Sequence, residues 1–331
     1  MSVVDDGLVS VPAQVEFSLL SHSGRVRPLN EDAIGADPAL GLFILADGLG
    51  GYNAGEIAST MAVSSLLAEL GQAYEQARAG GELFDPARVL RDTLVLMNAS
   101  IFRAALNSTA FEGMATTVVV AWLLGDTLWV GHTGDSRLYR YRRGTLEQLT
   151  RDHSFSQELL DAGMVSEEEA RMLPAKNLVT RALGASPDIE PEVNPYDAMR
   201  GDLLLLCSDG LTEMITHHEI GGLLATHEDG LDEVARRLVD MANEAGGRDN
   251  VSVVLVRVGN VEAEVAGKGS AKRDEDEQSV AQSAESSASP AASVAGGPAG
   301  GIVLSPTGGG APSDGQPTGS LATPGAAGRI D

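Results

Sequence analysis

This 331-residue sequence contains one cysteine, no long apolar run and no recognisable export signal. Its single cysteine, Cys207, excludes an internal disulfide and favours a reducing compartment. No apolar run approaches the roughly 20 residues that a membrane-spanning helix requires. The N-terminal residues include Asp5 and Asp6 and show neither the basic nor the apolar segment of a secretory signal. These features predict a soluble, cytoplasmic protein that is not bound to a membrane.

Basic residues are also scarce, with 23 Lys and Arg against 47 Asp and Glu and a net charge of −24. Such a surface repels nucleic acids and anionic membranes, so neither is an expected partner. The sequence also lacks the Gly-x4-Gly-Lys-Ser/Thr loop that binds nucleotide phosphates. An acidic chain is compatible with a cluster of carboxylates that holds cations.

Large apolar residues become rare after Gly259. Residues 261–331 are mostly Ala, Gly, Ser and Pro and bury too little surface to offset the entropy of ordering, so they are predicted to form a disordered tail. Residues 1–14 are predicted to be a flexible lead-in, which leaves 15–260 as one domain. Within this domain, residues 151–200 contain several prolines and are predicted to be an irregular excursion over the surface.

The apolar spacing predicts both helices and strands in the domain. Helical spacing begins near Gly55 and again after Pro86, which suits the first turn of a helix. Further along, Thr- and Val-rich strands are separated by Gly125-Asp126, Gly134-Asp135 and Arg143-Gly144. Each of these pairs is a hairpin-type break, so the strands on either side are expected to be antiparallel neighbours.

Four aspartates stand at glycine-marked ends of predicted strands. Asp47 and Asp209 each follow an apolar run and precede a glycine, whereas Asp135 and Asp249 lie in glycine-containing strand exits. Because glycine lets the backbone approach a ligand closely, the Gly48 carbonyl is free to point the same way as the carboxylate before it. One Asp-Gly pair is usually only a turn, but several at strand ends favour a shared cation site.

The chemistry of these ligands narrows the choice of ion. All of them are oxygens, which suit Mg²⁺ or Mn²⁺, whereas zinc would be expected to bring His or Cys. Four or more carboxylates exceed the need of one ion and indicate at least two. Paired ions can share a hydroxide that attacks phosphorus directly. Arg27, four residues before Glu31, could bind phosphate oxygens in a bidentate manner, although a lone loop arginine is more often a surface charge.

Short motifs in order along residues 15–258 resemble the metal-dependent serine/threonine protein phosphatases of the 2C type, most closely the bacterial branch. Besides Arg27, they are NEDA at 30–33, ADGLGG at 46–51, AGE at 54–56, GMATT at 113–117, GHTGDSR at 131–137, TRDHS at 150–154, CSDGL at 207–211 and RDNVS at 248–252. The resemblance implies an α+β fold. This fold is an α-β-β-α sandwich of two antiparallel sheets packed face to face between helices, with a flap at about 151–185 beside the active site.

The resemblance also implies a metal site. Asp47 would bridge two Mn²⁺ or Mg²⁺ ions, and Gly48 would lend its carbonyl to one of them. Asp209 and Asp249 would hold the other ion. Asp135, together with Asp209, matches the position of a third ion in bacterial relatives.

Three further residues match catalytic positions of the family. Glu31 and Asp32 match the acidic pair that orders metal-bound water, and Arg27 matches the phosphate-binding arginine. Leu49 stands where eukaryotic members have a histidine proposed as general acid, so no general acid is assigned here. Asn177 stands where some bacterial relatives have a flap serine near the third ion, which leaves the occupancy of that position open.

The remaining candidates for chemistry are two histidines and the cysteine. His132 and His153 lie inside motifs and are expected to form structural hydrogen bonds. A cysteine phosphatase needs an arginine six residues after the cysteine. Cys207 has Glu213 there, so this alternative is discarded and Cys207 is expected to be a small core residue.

The function implied is metal-dependent hydrolysis of phosphoserine and phosphothreonine in proteins. Expected partners are a cognate serine/threonine kinase and its targets, and the protein is expected to be a monomer. The alternative is a catalytically weak, phosphoprotein-binding regulatory module on the same fold. Every matched carboxylate is present, which favours the enzyme.

Overall fold

The computed structural model describes residues 15–51, 53–80, 83–174, 178–259 and 302–304. The predicted lead-in, residues 1–14, lies outside the described residues. So does the predicted tail, except for residues 302–304.

Five of the described strands form the first antiparallel sheet. Its central strand is the continuous apolar run at 203–207, every residue of which is buried. A strand buried on both faces needs no alternation of polar and apolar residues, which explains the run of four leucines. In spatial order the strands are β1 (Val15–His22), β11 (Val251–Val258), β10 (Leu203–Cys207), β7 (Arg137–Arg142) and β8 (Thr145–Gln148).

The second sheet is also antiparallel and carries the first predicted ligand. A short strand, β4 (Ala115–Thr116), pairs with the end of β3 outside the main order. In spatial order the other strands are β12 (Ile302–Leu304), β2 (Asp32–Asp37), β3 (Leu42–Leu49), β5 (Val118–Leu124), β6 (Thr127–Thr133) and β9 (Glu192–Asp197).

Helices cover the outer face of each sheet. The two long ones were predicted from apolar spacing, and Pro86 does open the second, where Asp85 accepts a hydrogen bond from the Arg88 amide at 3.0 Å. The helices are α1 (Ala54–Gly80) and α2 (Pro86–Asn107) over the second sheet, α3 (Phe155–Asp161) and α4 (Glu167–Met172) in the segment after β8, and α5 (Asp209–Thr212), α6 (His217–Leu224) and α7 (Leu231–Glu244) over the first sheet.

The core consists of three apolar layers, as an α-β-β-α sandwich requires. Trp122 belongs to the layer between α1, α2 and the second sheet. Phe43 and Val254 lie in the layer between the two sheets. Leu238 lies in the layer between the first sheet and α7. The predicted fold is therefore confirmed.

The Gly134-Asp135 break is not a hairpin, contrary to the prediction. It connects β6 in the second sheet to β7 in the first, so the chain changes sheets at this point. Gly134 has a φ of +111°, and a Cβ there would lie 2.5 Å from Cβ of Thr117. The other two breaks, Gly125-Asp126 and Arg143-Gly144, do join antiparallel neighbours. A glycine pair signals a reversal but does not say which sheet the next strand joins.

Residues 151–200 are more regular than predicted. They contain the helices α3 and α4, and β9 pairs with β6 along its whole length. Pro195 is compatible with this strand because β9 lies at the edge of the sheet, where a residue without an amide hydrogen costs no ladder bond on the outer side.

One segment of the predicted tail forms a strand. Residues 302–304 pair antiparallel with β2, with Ile302 opposite Ala36 and Leu304 opposite Ile34. They are the one run of three large apolar residues in 261–331. In the described parts of the chain, no helix has both the length and the apolar character needed to cross a bilayer.

Candidate active site

The four aspartates predicted to share a cation site come from both sheets. Asp47 lies on β3, Asp209 opens α5 directly after β10, Asp135 lies in the crossover between sheets, and Asp249 precedes β11. The pKa of Asp47 is raised well above its ordinary value, first by burial and then by the charges of Asp32, Asp209, Asp135 and Asp249. The structure therefore brings these five carboxyl groups into one cluster.

Burial is also the first cause of the raised pKa values of four further carboxyl groups, those of Asp209, Asp135, Asp32 and Glu31. The pKa of Asp209 is well above its ordinary value, first because of burial and then because of the charge of Asp135. Burial raises the pKa of Asp135 to about 7 and that of Asp32 to about 6. Burial also raises the pKa of Glu31. Buried carboxylates that repel one another in this way form a site that favours cations.

Hydrogen bonds from two threonines fix the backbone of Asp47. Its amide donates to Oγ1 of Thr117 at 3.0 Å, and its carbonyl accepts from the Thr117 amide and from Oγ1 of Thr116, both at 2.8 Å. Thr117 Oγ1 also lies 2.7 Å from Oγ of Ser136, the residue after Asp135. The motif at 113–117 thus links one predicted ligand, Asp47, to the neighbour of another, Asp135. This role could not be predicted from the sequence, because these segments are distant from one another along the chain.

Glycine is required at 48 and 55 by close chain packing. A Cβ on Gly48 would lie 2.2 Å from the Gly55 carbonyl oxygen and 2.6 Å from that of Glu31. A Cβ on Gly55 would lie 2.5 Å from Oε1 of Glu31. The absence of side chains at both positions lets the Glu31 side chain enter beside β3.

Two carboxylate oxygens in the cluster are buried without a hydrogen-bond partner among the described residues, Glu31 Oε1 and Asp32 Oδ1. The other oxygen of Asp32 accepts from Oγ of Ser208 at 2.8 Å, and that hydroxyl accepts in turn from the Ser252 amide at 3.0 Å. Buried acceptors without a partner are costly and call for a positive one. With only oxygen donors around them, the residues present fit hard divalent cations.

Arg27, the predicted phosphate ligand, is paired with a predicted metal ligand. Its Nη2 donates to Oδ2 of Asp249 at 2.7 Å, and this bond is the first cause of the raised pKa of Arg27. About half of the arginine side chain, 49%, remains exposed. A cation that binds Asp249 would compete for this carboxylate and leave the guanidinium available to an incoming anion.

Asn250 holds the loop that carries Arg27. Its Oδ1 accepts from the Glu31 amide at 2.7 Å, while its Nδ2 donates to the carbonyls of Leu29 at 2.8 Å and Ser23 at 3.1 Å. Asn250 belongs to the quoted motif at 248–252, but the sequence alone assigned it no function. The structure places it as the brace between this loop and β11.

Cys207, His132 and His153 have the surroundings expected of structural residues. Cys207 is fully buried, and burial raises the pKa of its thiol to about 12, which excludes a thiolate nucleophile. Nε2 of His132 donates to the carbonyl of Arg151 at 2.8 Å, and Nδ1 of His153 accepts from the Gly134 amide at 3.1 Å. Asn177 lies outside the described residues.

Comparison with known proteins identifies the family. Residues 21–255 match the family described as protein phosphatase 2C. Protein phosphatase PhpP of Streptococcus pneumoniae is 37% identical over 257 residues, which span 76% of this chain and 100% of that protein. Serine/threonine protein phosphatase PstP of Mycobacterium tuberculosis is 36% identical over 251 residues, spanning 76% of this chain and 46% of that protein.

Solved structures share the fold. The crystal structure of the Mycobacterium tuberculosis serine/threonine phosphatase PstP/Ppp has a TM-score of 0.67 at 34% identity, covering 74% of this chain and 99% of that one. The catalytic domain of PstP in complex with two manganese ions has a TM-score of 0.63 at 34% identity, covering 74% and 99%. These matches show that the chain belongs to the protein phosphatase 2C family and is a protein-serine/threonine phosphatase of its bacterial branch.

Proposed function

We propose that this phosphatase hydrolyses phosphoserine and phosphothreonine in proteins with two Mn²⁺ or Mg²⁺ ions and so reverses serine/threonine kinase signalling. The manganese complex of the PstP catalytic domain supports the choice of ion. The observation that carries the proposal is the pair of unpartnered buried oxygens, Glu31 Oε1 and Asp32 Oδ1, inside a cluster of carboxyl groups with raised pKa values. Such acceptors require positive charge nearby.

The ligands we propose are those that the family motifs indicate. Asp47 and the Gly48 carbonyl would hold one ion, Asp47, Asp209 and Asp249 would hold the other, and Asp135 with Asp209 would hold a third. When bound, such ions would lower the pKa of water to give a hydroxide nucleophile and would neutralise charge on the phosphate. Because Asp47 is held through both backbone groups by Thr116 and Thr117, its carboxylate is preorganised for this task.

Arg27 binds and orients the phosphate in this proposal. A guanidinium donates two parallel hydrogen bonds to phosphate oxygens, which fixes the direction from which phosphorus is attacked. Its neighbour Asp249 orients it beforehand, and Asn250 keeps its loop in place. Substrate binding then exchanges one anionic partner of Arg27 for another.

Glu31 and Asp32 orient the attacking water through their free buried oxygens. The hydroxyl of Ser208 donates to Oδ2 of Asp32 and fixes the carboxylate, which leaves Oδ1 as the oxygen without a described partner. No histidine follows Gly48, and Leu49 has no proton to give. No side chain is therefore assigned as general acid, and water is the proposed source of the proton for the leaving serine or threonine oxygen.

The deciding experiment compares Mn²⁺-dependent hydrolysis of p-nitrophenyl phosphate and of a phosphothreonine peptide by full-length wild type, Asp209→Ala and Asp240→Ala. Asp240 lies exposed on α7 and serves as the matched control. Asp209→Ala is expected to lose about a hundredfold or more in kcat/KM, whereas Asp240→Ala stays within about twofold of wild type.

The alternative is a phosphoprotein-binding regulatory module on the same fold. It predicts that wild type and Asp209→Ala are equally inert with either ion while the phosphopeptide still binds. That result would overturn the enzymatic proposal. The intact set of carboxylates favours the enzyme.

We further propose a cognate serine/threonine kinase and its targets as partners, a monomeric state and a cytoplasmic location. The net charge of −24 argues against nucleic acid and anionic membranes as partners. Buried, unpaired Cys207 is consistent with a reducing compartment. Sedimentation equilibrium of the full chain tests the monomer, and a phosphoproteome from cells lacking the protein tests the substrates.

A further inference from the structure

Outside the acidic cluster, a second group of titratable side chains consists of His132, His153 and Glu192. The two imidazole rings are nearly parallel, with centroids 4.8 Å apart and an angle of 19° between planes. Both histidines are buried, and their potential ligand atoms and that of Glu192 lie within 4.8 Å of one another. By residue type alone, this group resembles a zinc site.

Three of the four ring nitrogens of His132 and His153 are already engaged in hydrogen bonds. The Gly134 amide donates to Nδ1 of His153 at 3.1 Å, so this nitrogen carries no proton. The neutral ring therefore has its proton on Nε2, which donates to Oε1 of Glu192 at 3.1 Å. Nε2 of His132 is also a donor, to the Arg151 carbonyl. Only one ring nitrogen of the pair retains a free lone pair, so the group forms a hydrogen-bond chain.

This chain ends on the backbone that precedes Asp135. Besides accepting from the Gly134 amide, His153 donates its own amide to the Gly134 carbonyl at 2.9 Å. One residue thus satisfies both backbone groups of Gly134, whose φ of +111° lies outside the range that other residues adopt. Asp135, the next residue, is buried.

His153 also contacts the base of the flap. Its carbonyl accepts from the Thr180 amide at 2.9 Å, and the next residue, Ser154, forms a bridge with Val179. The start and the end of the flap therefore meet at His153. His153 therefore forms hydrogen bonds both to the turn before Asp135 and to the residues at the end of the flap.

We propose that His153, oriented by Glu192, is a positioning residue that fixes the Gly134 turn, aims the Asp135 carboxylate and couples it to the flap. The inference rests on the proposed function in one respect, the assignment of Asp135 to a third ion. His153 makes no described hydrogen bond to Asp47, Asp209 or Asp249. Loss of its ring acceptor is therefore expected to affect the Asp135 position and not the pair of ions.

The test uses two substitutions that separate hydrogen bonding from packing. His153→Phe keeps a ring against His132 but removes the acceptor for the Gly134 amide. His153→Asn loses the ring but places an amide oxygen close to the position of Nδ1. His218→Phe, on the exposed side of α6, is the matched control.

Two properties of the full chain are measured. The first is the rate of amide hydrogen exchange at Gly134 and Thr180. The second is the Mn²⁺ concentration that gives half-maximal hydrolysis of p-nitrophenyl phosphate. His153→Phe is expected to accelerate exchange at both amides and to raise the Mn²⁺ requirement, each by about tenfold, since one hydrogen bond is lost. His153→Asn is expected to recover most of both losses. In an Asp135→Ala background, His153→Phe should leave the Mn²⁺ requirement unchanged.

Several outcomes would overturn the proposal. Exchange at Gly134 within twofold of wild type in His153→Phe would show that the ring nitrogen positions nothing. Equal losses in His153→Phe and His153→Asn would indicate packing only. Zinc binding by the wild type that is abolished in His153→Phe would show a metal site instead. If wild type has no metal-dependent activity, the proposed function fails, but the exchange measurement still decides the role of His153.

Discussion

At the scale of single residues, Arg27 serves two acidic partners in turn. In the structure it neutralises Asp249, and in the proposed reaction it binds the phosphate. The two tasks have opposite consequences for metal binding, because the bond to Arg27 withdraws Asp249 from any cation. Arg27 is therefore expected to lower the affinity for metal and to raise the affinity for substrate.

Arg27→Ala is expected to move these two quantities in opposite directions. The kcat/KM for a phosphopeptide should fall by about tenfold to a hundredfold because charge-assisted bonds to phosphate are lost. The Mn²⁺ concentration for half-maximal activity should decrease because Asp249 is no longer shared. Calorimetric Mn²⁺ titration and steady-state kinetics measure both. Arg25→Ala removes the same charge from the same loop and should change neither by more than about twofold. A higher Mn²⁺ requirement in Arg27→Ala would contradict this account.

Position 48 requires glycine because the surrounding backbone leaves no room for a side chain. Gly48→Ala would place a Cβ 2.2 Å from the Gly55 carbonyl oxygen, and neither backbone can move without shifting β3 or α1. We expect a loss of about 3 kcal/mol or more in the free energy of unfolding, measured by urea titration. Gly222→Ala is the control, because Gly222 is an exposed residue of α6 and a Cβ there would have no atom within 4 Å. That substitution should stabilise by up to about 1 kcal/mol.

How far the sequence predicts the site can be judged from these residues. The four aspartates were identified from local signals. Asp47 and Asp209 each stand between an apolar run and a glycine, and Asp135 and Asp249 each follow a nearby glycine. The Arg27–Asp249 pair and the Thr117 brace of Asp47 were not, because each joins segments far apart in the chain. The family motifs identify the participants, whereas their hydrogen bonds depend on how the two sheets pack.

At the scale of elements, the strands that were not predicted are those whose own sequence has little preference for a strand and that form because a neighbouring strand pairs with them. β2 reads DAIGAD, a segment with two aspartates and a glycine that has little preference for a strand. It is a strand because β3 offers it a buried, strongly apolar partner over six residue pairs. β9 likewise contains Pro195 and forms along β6. By contrast, β10 and α2 carry their own apolar patterns, and both the apolar run before Asp209 and the helix after Pro86 were predicted.

The edge of β2 yields a prediction about β12. Since β12 contains none of the proposed site residues, deleting 261–331 should leave hydrolysis of p-nitrophenyl phosphate within about twofold, while hydrogen exchange accelerates at residues 34–36 of β2. Val303→Pro in the full chain, which removes one amide hydrogen from β12, should accelerate the same amides. Val294→Pro elsewhere in the tail is the control. A large loss of turnover on deletion would place the domain boundary beyond residue 260.

At the scale of the whole molecule, the carboxylates proposed to bind the ions also destabilise the metal-free fold when they are charged. Burial first, and then the charges of neighbouring carboxylates, raises the pKa values of Asp32, Asp47, Asp135 and Asp209. The folded protein therefore binds their protons more tightly than the unfolded chain does. Their protonation therefore favours the fold, and this contribution is lost as the pH rises through the folded-state pKa values, about 6 for Asp32 and about 7 for Asp135. A bound cation would take over the role of these protons.

The metal-free protein should accordingly be less stable at pH 7.5 than at pH 5.5. We expect Tm in EDTA to fall by at least ~3 °C across this interval, roughly the shift that 1 kcal/mol causes in a domain of this size. His132 opposes the trend, because burial lowers its pKa, but it is one group against several. Asp209→Asn should raise the metal-free Tm at pH 7.5, flatten its pH dependence and reduce the stabilisation that Mn²⁺ gives the wild type. Unchanged Tm in Asp209→Asn, with Mn²⁺ stabilisation intact, would show that the carboxylates neither repel one another nor share an ion.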